Sequence, residues 1–155
     1  WEEMAPQLDA VFFGVLAQRS ESSREAVHFF LQKATTALKI CDMNIRTWNS
    51  TIEAIVTESL AAADIIKLNQ CECEKLKRGL RSEADDLPFL RELLKKYAIQ
   101  MAALTLGEHG CYLEAPVRPV SLMVSSTLPG RYDHTRQAQS DGVGPEPVDA
   151  IRRTS

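Results

Sequence analysis

Residues 64–72 read Asp64-Ile-Ile-Lys-Leu-Asn69-Gln-Cys-Glu72, and they contain the clearest structural pattern in the chain. Its first half is a short and mostly apolar run bounded by polar residues, which is typical of a β-strand. Asn69 is followed three residues later by Glu72, and this spacing is typical of the first turn of a helix. The stretch therefore predicts a strand that leads directly into a helix running towards Leu80.

Similar strand and helix patterns lie on both sides of this stretch. Helices are predicted to begin near Ser22 and Ser50, because a glutamate follows each serine at capping-box spacing, and another helix is predicted over residues 87–98. Short apolar runs predict further strands at residues 11–16, 38–41, 101–106 and 111–113.

This alternation of strands and helices predicts the fold class. Connections of this length favour parallel strands joined by right-handed crossovers. We therefore expect an α/β fold in three layers, with helices on both faces of a mostly parallel sheet. Such sheets bind ligands at the carboxyl ends of their strands. The loops at 42–49, 69–72 and 105–110 leave strands at that edge, so we look for functional residues there.

Composition excludes several classes of function. The chain has 155 residues and a net charge of −3, so it lacks the basic excess of a nucleic-acid-binding surface. No stretch approaches the roughly 20 apolar residues of a membrane span, and no signal peptide is visible. The four cysteines do not have zinc-site spacing, which favours reduced thiols and a cytoplasmic location. Because the sequence begins with Trp1, we expect the true start to be missing.

The first candidate site is Asp42-x-Asn44-x-Arg46, which Trp48 follows. An arginine at the carboxyl end of a strand offers a planar fork that suits phosphate oxygens or sugar hydroxyls. In the alternative interpretation, Asp42 and Asn44 satisfy the amides of a turn while Arg46 pairs with a surface carboxylate.

The second and third candidates also permit two interpretations. In Asn69-x-x-Glu72 the glutamate could hold hydrated Mg²⁺ near a phosphate, or the two residues could only begin a helix. Thr105-Leu-Gly107-Glu-His-Gly110 has two glycines that would let the backbone approach a flat ligand such as a nucleotide. The same glycines would also suit a hairpin turn.

The order and flanks of these motifs resemble the PfkB, or ribokinase-like, carbohydrate kinases, and most of all their fructokinase-type members. The resemblance covers about residues 9–114, which correspond to the middle of a family kinase. It implies a ribokinase-like fold and ATP-dependent transfer of a phosphoryl group to a sugar. Its cofactors would be ATP and Mg²⁺, its partners ATP and a sugar, and a homodimer is left open.

The resemblance also implies a role for each candidate residue. Glu72 would help to place Mg²⁺ and its waters. Asn44 and Arg46 would face the phosphate and sugar. The nucleotide would lie beside Asn69, Thr105, Gly107 and Gly110.

One family segment is missing from these 155 residues. Family kinases carry D-T-x-G-A-G-D, whose glycine amides form an anion hole and whose last aspartate is the catalytic base. The nearest string here is Asp141-Gly-Val-Gly-Pro145-Glu-Pro147, in which prolines replace two of the positions that matter. We therefore assign no catalytic residue and expect an inactive fragment or impaired copy.

Residues 115–155 are predicted to be an irregular tail. Five of the seven prolines lie there, and such a composition buries little apolar surface. The coding bases of Val124 to Gly130 could also read V-V-D-T-A-G in a frame shifted by one base, so the tail could be out of frame. That string is the one that leads into the anion hole of the family.

Two further functions stay open. The chain could be a non-catalytic α/β protein that keeps the same scaffold for binding or assembly. A different nucleotide-binding domain is less favoured, because the sequence contains no G-x-x-x-x-G-K-[ST] loop.

Overall fold

A computed structural model describes residues 2–116, and it describes the backbone of the two further strands at 122–128 and 131–136. In this described part, seven strands form one sheet, in the order in which they follow along the chain. The first four are parallel, and the last three each run antiparallel to the strand before. The strands are β1 (Ala10–Gly14), β2 (Leu38–Asp42), β3 (Ile65–Asn69), β4 (Met101–Thr105), β5 (Cys111–Glu114), β6 (Leu122–Leu128) and β7 (Arg131–Arg136).

Four α-helices connect the parallel strands: α1 (Glu21–Lys33), α2 (Ser50–Ala62), α3 (Gln70–Gly79) and α4 (Asp86–Tyr97). Short 3₁₀ turns lie at Ala5–Gln7, Leu16–Gln18 and Gly107–His109. The predicted α/β class with a mostly parallel first half is therefore confirmed. Among the described residues, no helix is long and apolar enough to cross a membrane.

Two of the predicted N-cap residues are late by two residues and one residue, although α2 itself begins at Ser50. The N-cap of α1 is Ser20, whose hydroxyl accepts the Ser23 N–H, and the N-cap of α2 is Asn49, whose side chain accepts the Ile52 N–H. Serine and asparagine cap helices about equally well, so serine–glutamate spacing alone did not choose between neighbouring candidates. The third predicted cap, Asn69, is confirmed.

Burial alternates along the strands and separates the two faces of the sheet. Phe13, Cys41 and Ile66 are register partners on a buried face, within the same core cluster as the apolar side chains of the helices. Right-handed crossovers between successive neighbouring strands place α1–α4 together on that face. On the opposite face Phe12 is exposed and its register partner Ile40 is half-buried.

The segment after residue 115 differs from its prediction where it is described. Residues 122–128 and 131–136 are strands, and the first of them pairs with the outer edge of β5. An edge strand offers unpaired backbone groups to any extended segment nearby, whatever the average composition of that segment. The rest of the tail lies outside the described residues, and the shifted reading frame stays a hypothesis.

Candidate functional site

The carboxyl ends of the parallel strands form a single rim. Because β2, β3 and β4 run in the same direction, the loops that follow them leave at the same edge of the sheet. The register aligns Asp42 with Lys67 and Asn69 with Thr105 on one face of the sheet. Tertiary structure therefore brings together three motifs that are separated by more than twenty residues of sequence.

The loop after β2 directs alternate side chains inward and outward. Met43 and Ile45 are buried in the core, whereas Asn44 is half-buried and Arg46 is exposed. Asn44 has a φ of 35°, in the left-handed region that asparagine tolerates better than most residues. The Met43 N–H donates to the Lys67 carbonyl at 2.9 Å, which extends the pairing of β2 with β3. Arg46 is thus held outward at the rim by its buried neighbours.

Two residues of helix α3 contact the loop after β2. The Lys75 ammonium donates to the Ile45 carbonyl at 2.9 Å. The ring of Trp48 packs on Gly79, where an added Cβ would lie 2.0 Å from the ring atom Cε2. Arg46 forms no ion pair with any residue in the described part of the chain. Within that part of the chain, its guanidinium is open to an anion.

Asn69 and Glu72 form a complete capping box at the start of α3. The Asn69 side-chain oxygen accepts the Glu72 N–H, and the Glu72 carboxylate accepts the Asn69 N–H, each at 2.9 Å. The structural role that the sequence left open is therefore present. Glu72 is also buried, and only one of its carboxylate oxygens takes part in the cap.

Magnesium would fit this rim only through water and phosphate. No group of three or more metal-binding side chains occurs among the residues that the structure describes, so these residues offer no cage of protein ligands. Mg²⁺ usually keeps several waters and uses one or two carboxylates together with substrate phosphates. The second carboxylate oxygen of Glu72 suits contact with a metal-bound water.

The loop after β4 is both a hairpin turn and an open surface. The Leu106 N–H donates to the Gly110 carbonyl at 2.8 Å, which closes the turn into β5. Gly107 has a φ of 62°, in the region where glycine avoids the strain of other residues, and nothing lies within 4 Å of the position that a Cβ would occupy. A flat ligand can approach the backbone there.

Sequence reasoning missed one charged pair at the rim. The Lys67 ammonium lies 3.2 Å from the Asp42 carboxylate and links the ends of β2 and β3. The available signal was a lysine inside an apolar strand, two residues before Asn69 and therefore on the same face.

The cysteines near the rim differ in chemistry. Burial raises the pKa of both Cys41 and Cys73 to about 12, so these thiols stay protonated. Cys71, two residues after Asn69, is exposed. No disulfide occurs among the four cysteines, all of which the structure describes.

Several solved structures to which this chain is similar in fold are sugar kinases. A fructokinase from Vibrio cholerae O395, bound to fructose, ADP and a calcium ion, matches with a TM-score of 0.62 at 17% identity, over 76% of this chain and 39% of that chain. An ATP-bound fructokinase from Xylella fastidiosa matches with a TM-score of 0.68 at 14% identity, over 83% and 41%. The chain has the fold of these sugar kinases.

An aminoimidazole riboside kinase from Salmonella enterica also matches, with a TM-score of 0.54 at 18% identity, over 86% of this chain and 41% of that chain. The chain thus spans about two fifths of the length of these structures. No protein-family model matches the chain, and no curated protein matches it by sequence. At these identities the likeness shows the fold alone.

Proposed function

We propose that this chain is the nucleotide- and phosphate-binding part of an ATP-dependent carbohydrate kinase of fructokinase-like type. The observation that carries the proposal is the shared rim, where the loops after β2, β3 and β4 leave the same edge of the sheet. Ligands of α/β sheets bind at such an edge. The solved structures of the same fold include one bound to ATP and one bound to fructose and ADP.

Each rim residue has a proposed role that its surroundings permit. Arg46 has no ion-pair partner among the described residues and would bind a phosphate group through its planar fork, with Asn44 beside it. Glu72 would hold a water of Mg²⁺, and bound Mg²⁺ would neutralise phosphate charge. The nucleotide would lie along Asn69, Thr105, Gly107 and Gly110, where the turn is open.

Binding without transfer is the expected behaviour of these 155 residues. The sequence contains no G-A-G-D segment to supply an anion hole and a base. Such groups provide most of the rate of phosphoryl transfer, whereas the remaining loops would mainly position the substrates. We therefore expect ATP binding and no measurable phosphorylation of fructose.

A non-catalytic scaffold is the second candidate. The reciprocal hydrogen bonds of Asn69 and Glu72 favour it, because they give both side chains a structural task that requires no ligand. In this case the rim residues would only hold the loops in place, and ATP would not bind.

Calorimetric titration with ATP in the presence of Mg²⁺ separates the two candidates. The kinase-derived site predicts saturable binding that Arg46→Met weakens about tenfold, which corresponds to one lost charge-assisted contact. Arg78→Met is the matched control, because Arg78 is exposed near the far end of α3. Absence of heat at millimolar ATP, or equal weakening by the two variants, would reject the proposed site.

A homodimer and a cytoplasmic location belong to the same proposal. Either property could fail while the rim still bound ATP, so each needs its own measurement.

A further inference from the structure

The loop that carries Arg46 is attached to helix α3 at two points. The Lys75 ammonium donates to the Ile45 carbonyl at 2.9 Å, and this carbonyl belongs to the same planar peptide group as the Arg46 N–H. Two residues further along the loop, the ring of Trp48 packs on Gly79. Arg46 therefore lies between two contacts with one helix.

The second contact depends on the absence of a side chain at Gly79. An added Cβ would lie 2.0 Å from Cε2, 2.1 Å from Cζ2 and 2.5 Å from Cδ2 of the Trp48 ring. Nonbonded carbon atoms usually stay about 3.5–4.0 Å apart, so any larger residue here would force the ring to move. The backbone does not require glycine at this position, because the described glycines with positive φ are Gly107 and Gly110. Alanine also favours a helix more than glycine does, so the space that the ring needs accounts for the glycine.

Lys75 has no ion pair in the part of the chain that the structure describes. Its neighbour Lys77, by contrast, pairs with both Glu74 and Asp86. A hydrogen bond from a charged donor is stronger than one between neutral groups. The Lys75 ammonium therefore holds the peptide group beside Arg46, and no described carboxylate competes for it.

Helix α3 also begins at the proposed magnesium and nucleotide site. Glu72, Lys75 and Gly79 occupy positions i, i+3 and i+7, which lie along one face of a helix. About two turns of α3 thus connect the carboxylate proposed for a water of Mg²⁺ with the loop proposed for the phosphate. Groups that bind one ligand together must keep a fixed separation, and a helix in contact with both of them can maintain it.

We infer that Lys75 and Gly79 are positioning residues of the phosphate site, which act through Arg46 and do not touch the ligand. Lys75 fixes the peptide group on one side of Arg46, and Gly79 gives the Trp48 ring its place on the other side. The inference rests on the proposed function, because it assumes that Arg46 binds a phosphate of ATP. It adds two residues that lie outside the three motifs of the rim.

A double-mutant cycle with ATP and Mg²⁺ tests the inference by calorimetry. We expect Gly79→Ala to weaken ATP binding about five- to tenfold, close to the effect of Arg46→Met, because displacing Trp48 misplaces the guanidinium. In the Arg46→Met background, Gly79→Ala should change the affinity by less than about twofold, since residues that act through one contact are not additive. Unchanged ATP affinity in Gly79→Ala, or losses that multiply in the double variant, would overturn the inference.

The fluorescence of Trp48 gives a second measurement, which does not depend on a ligand. The chain has two tryptophans, so Trp1→Phe leaves Trp48 as the one tryptophan. In that background Gly79→Ala should move the emission to longer wavelength, because the half-buried ring is displaced towards water. Arg78→Met, at the neighbouring exposed residue, is the control and should leave the emission unchanged. The same emission maximum with glycine and alanine at position 79 would contradict the role of Gly79.

Lys75 provides a further test if Gly79→Ala fails to fold. Lys75→Met removes the donor and should weaken ATP binding about threefold or more, whereas Lys75→Arg keeps a donor and should restore most of the affinity. In the Arg46→Met background, Lys75→Met should add little. A further loss there would mean that the ammonium contacts the ligand itself, against the inference.

Two kinds of failure can be distinguished in these titrations. If the unchanged chain binds no ATP, the proposed function is rejected and this inference falls with it. If the unchanged chain binds ATP and the variants at Lys75 and Gly79 bind it equally well, only this inference is rejected.

Discussion

The two ends of the parallel strands use their polar residues differently. At the amino end, the Asp64 carboxylate accepts the Lys39 N–H at 2.8 Å and the Gln100 side-chain amide at 3.1 Å. Its backbone carbonyl accepts the Gln100 N–H at 2.8 Å. At the carboxyl end, Arg46 has no ion-pair partner among the described residues, and Gly107 faces open space.

This difference distinguishes polar groups that stabilise the fold from polar groups that are available to a ligand. Polar groups that satisfy one another hold three strands in register and leave nothing for a ligand. Groups that have no partner in the fold add little to its stability and remain available for binding. Asn69 and Glu72 combine both properties, because they complete the cap of α3 and also lie at the rim. Three sets of substitutions can test this contrast.

The largest loss of stability is expected at the amino end. Asp64→Ala removes the acceptor of the Lys39 N–H and should lower the free energy of unfolding by about 1–3 kcal/mol. Asp64→Asn keeps an oxygen in the same place and should lose less. Urea unfolding followed by circular dichroism measures both. If Asp64→Ala proved as stable as the unchanged chain, the hydrogen bonds of Asp64 at the amino end would not stabilise the fold.

An intermediate effect is expected at the capping box. Asn69→Ala removes the acceptor of the Glu72 N–H and should cost about 1 kcal/mol of stability. Glu72→Gln keeps an oxygen that can accept the Asn69 N–H and should cost about half of that or less. If Glu72 also holds a water of Mg²⁺, the glutamine variant should lose the Mg²⁺-dependent part of ATP binding. Equal loss of stability in the two variants, with Mg²⁺ dependence unchanged, would leave Glu72 a purely structural residue.

The smallest effect on stability is expected at Arg46. Because this side chain is exposed and unpaired among the described residues, Arg46→Met should change the free energy of unfolding by no more than about 0.5 kcal/mol. The same urea unfolding curves provide the measurement. A loss above 1 kcal/mol would show that Arg46 supports the fold, and the contrast between the two ends would fail there.

Much of the fold could be predicted because its signals are local. The strand–helix passage at 64–72 and the cap at Asn69 depend on neighbours within one helical turn, and the structure confirms both. The N-caps of α1 and α2 were placed one or two residues late, because several adjacent polar residues could cap equally well. The strands at 122–128 and 131–136 were missed because their pairing depends on an edge that the fold provides. The roles of the rim residues stay predictions.

The alternation of strands and helices, the cap of α3 and the glycines of the β4–β5 turn could be predicted from the sequence, because these features follow from local hydrogen bonding and backbone freedom. The alternation also predicted that the Asp42, Asn69 and Thr105 segments lie at one edge of the sheet. The tertiary structure added the register that aligns Asp42 with Lys67 and Asn69 with Thr105, and it showed that Asp42 pairs with Lys67. The reason is physical: strand order and register depend on packing among distant segments, and no single segment contains that information.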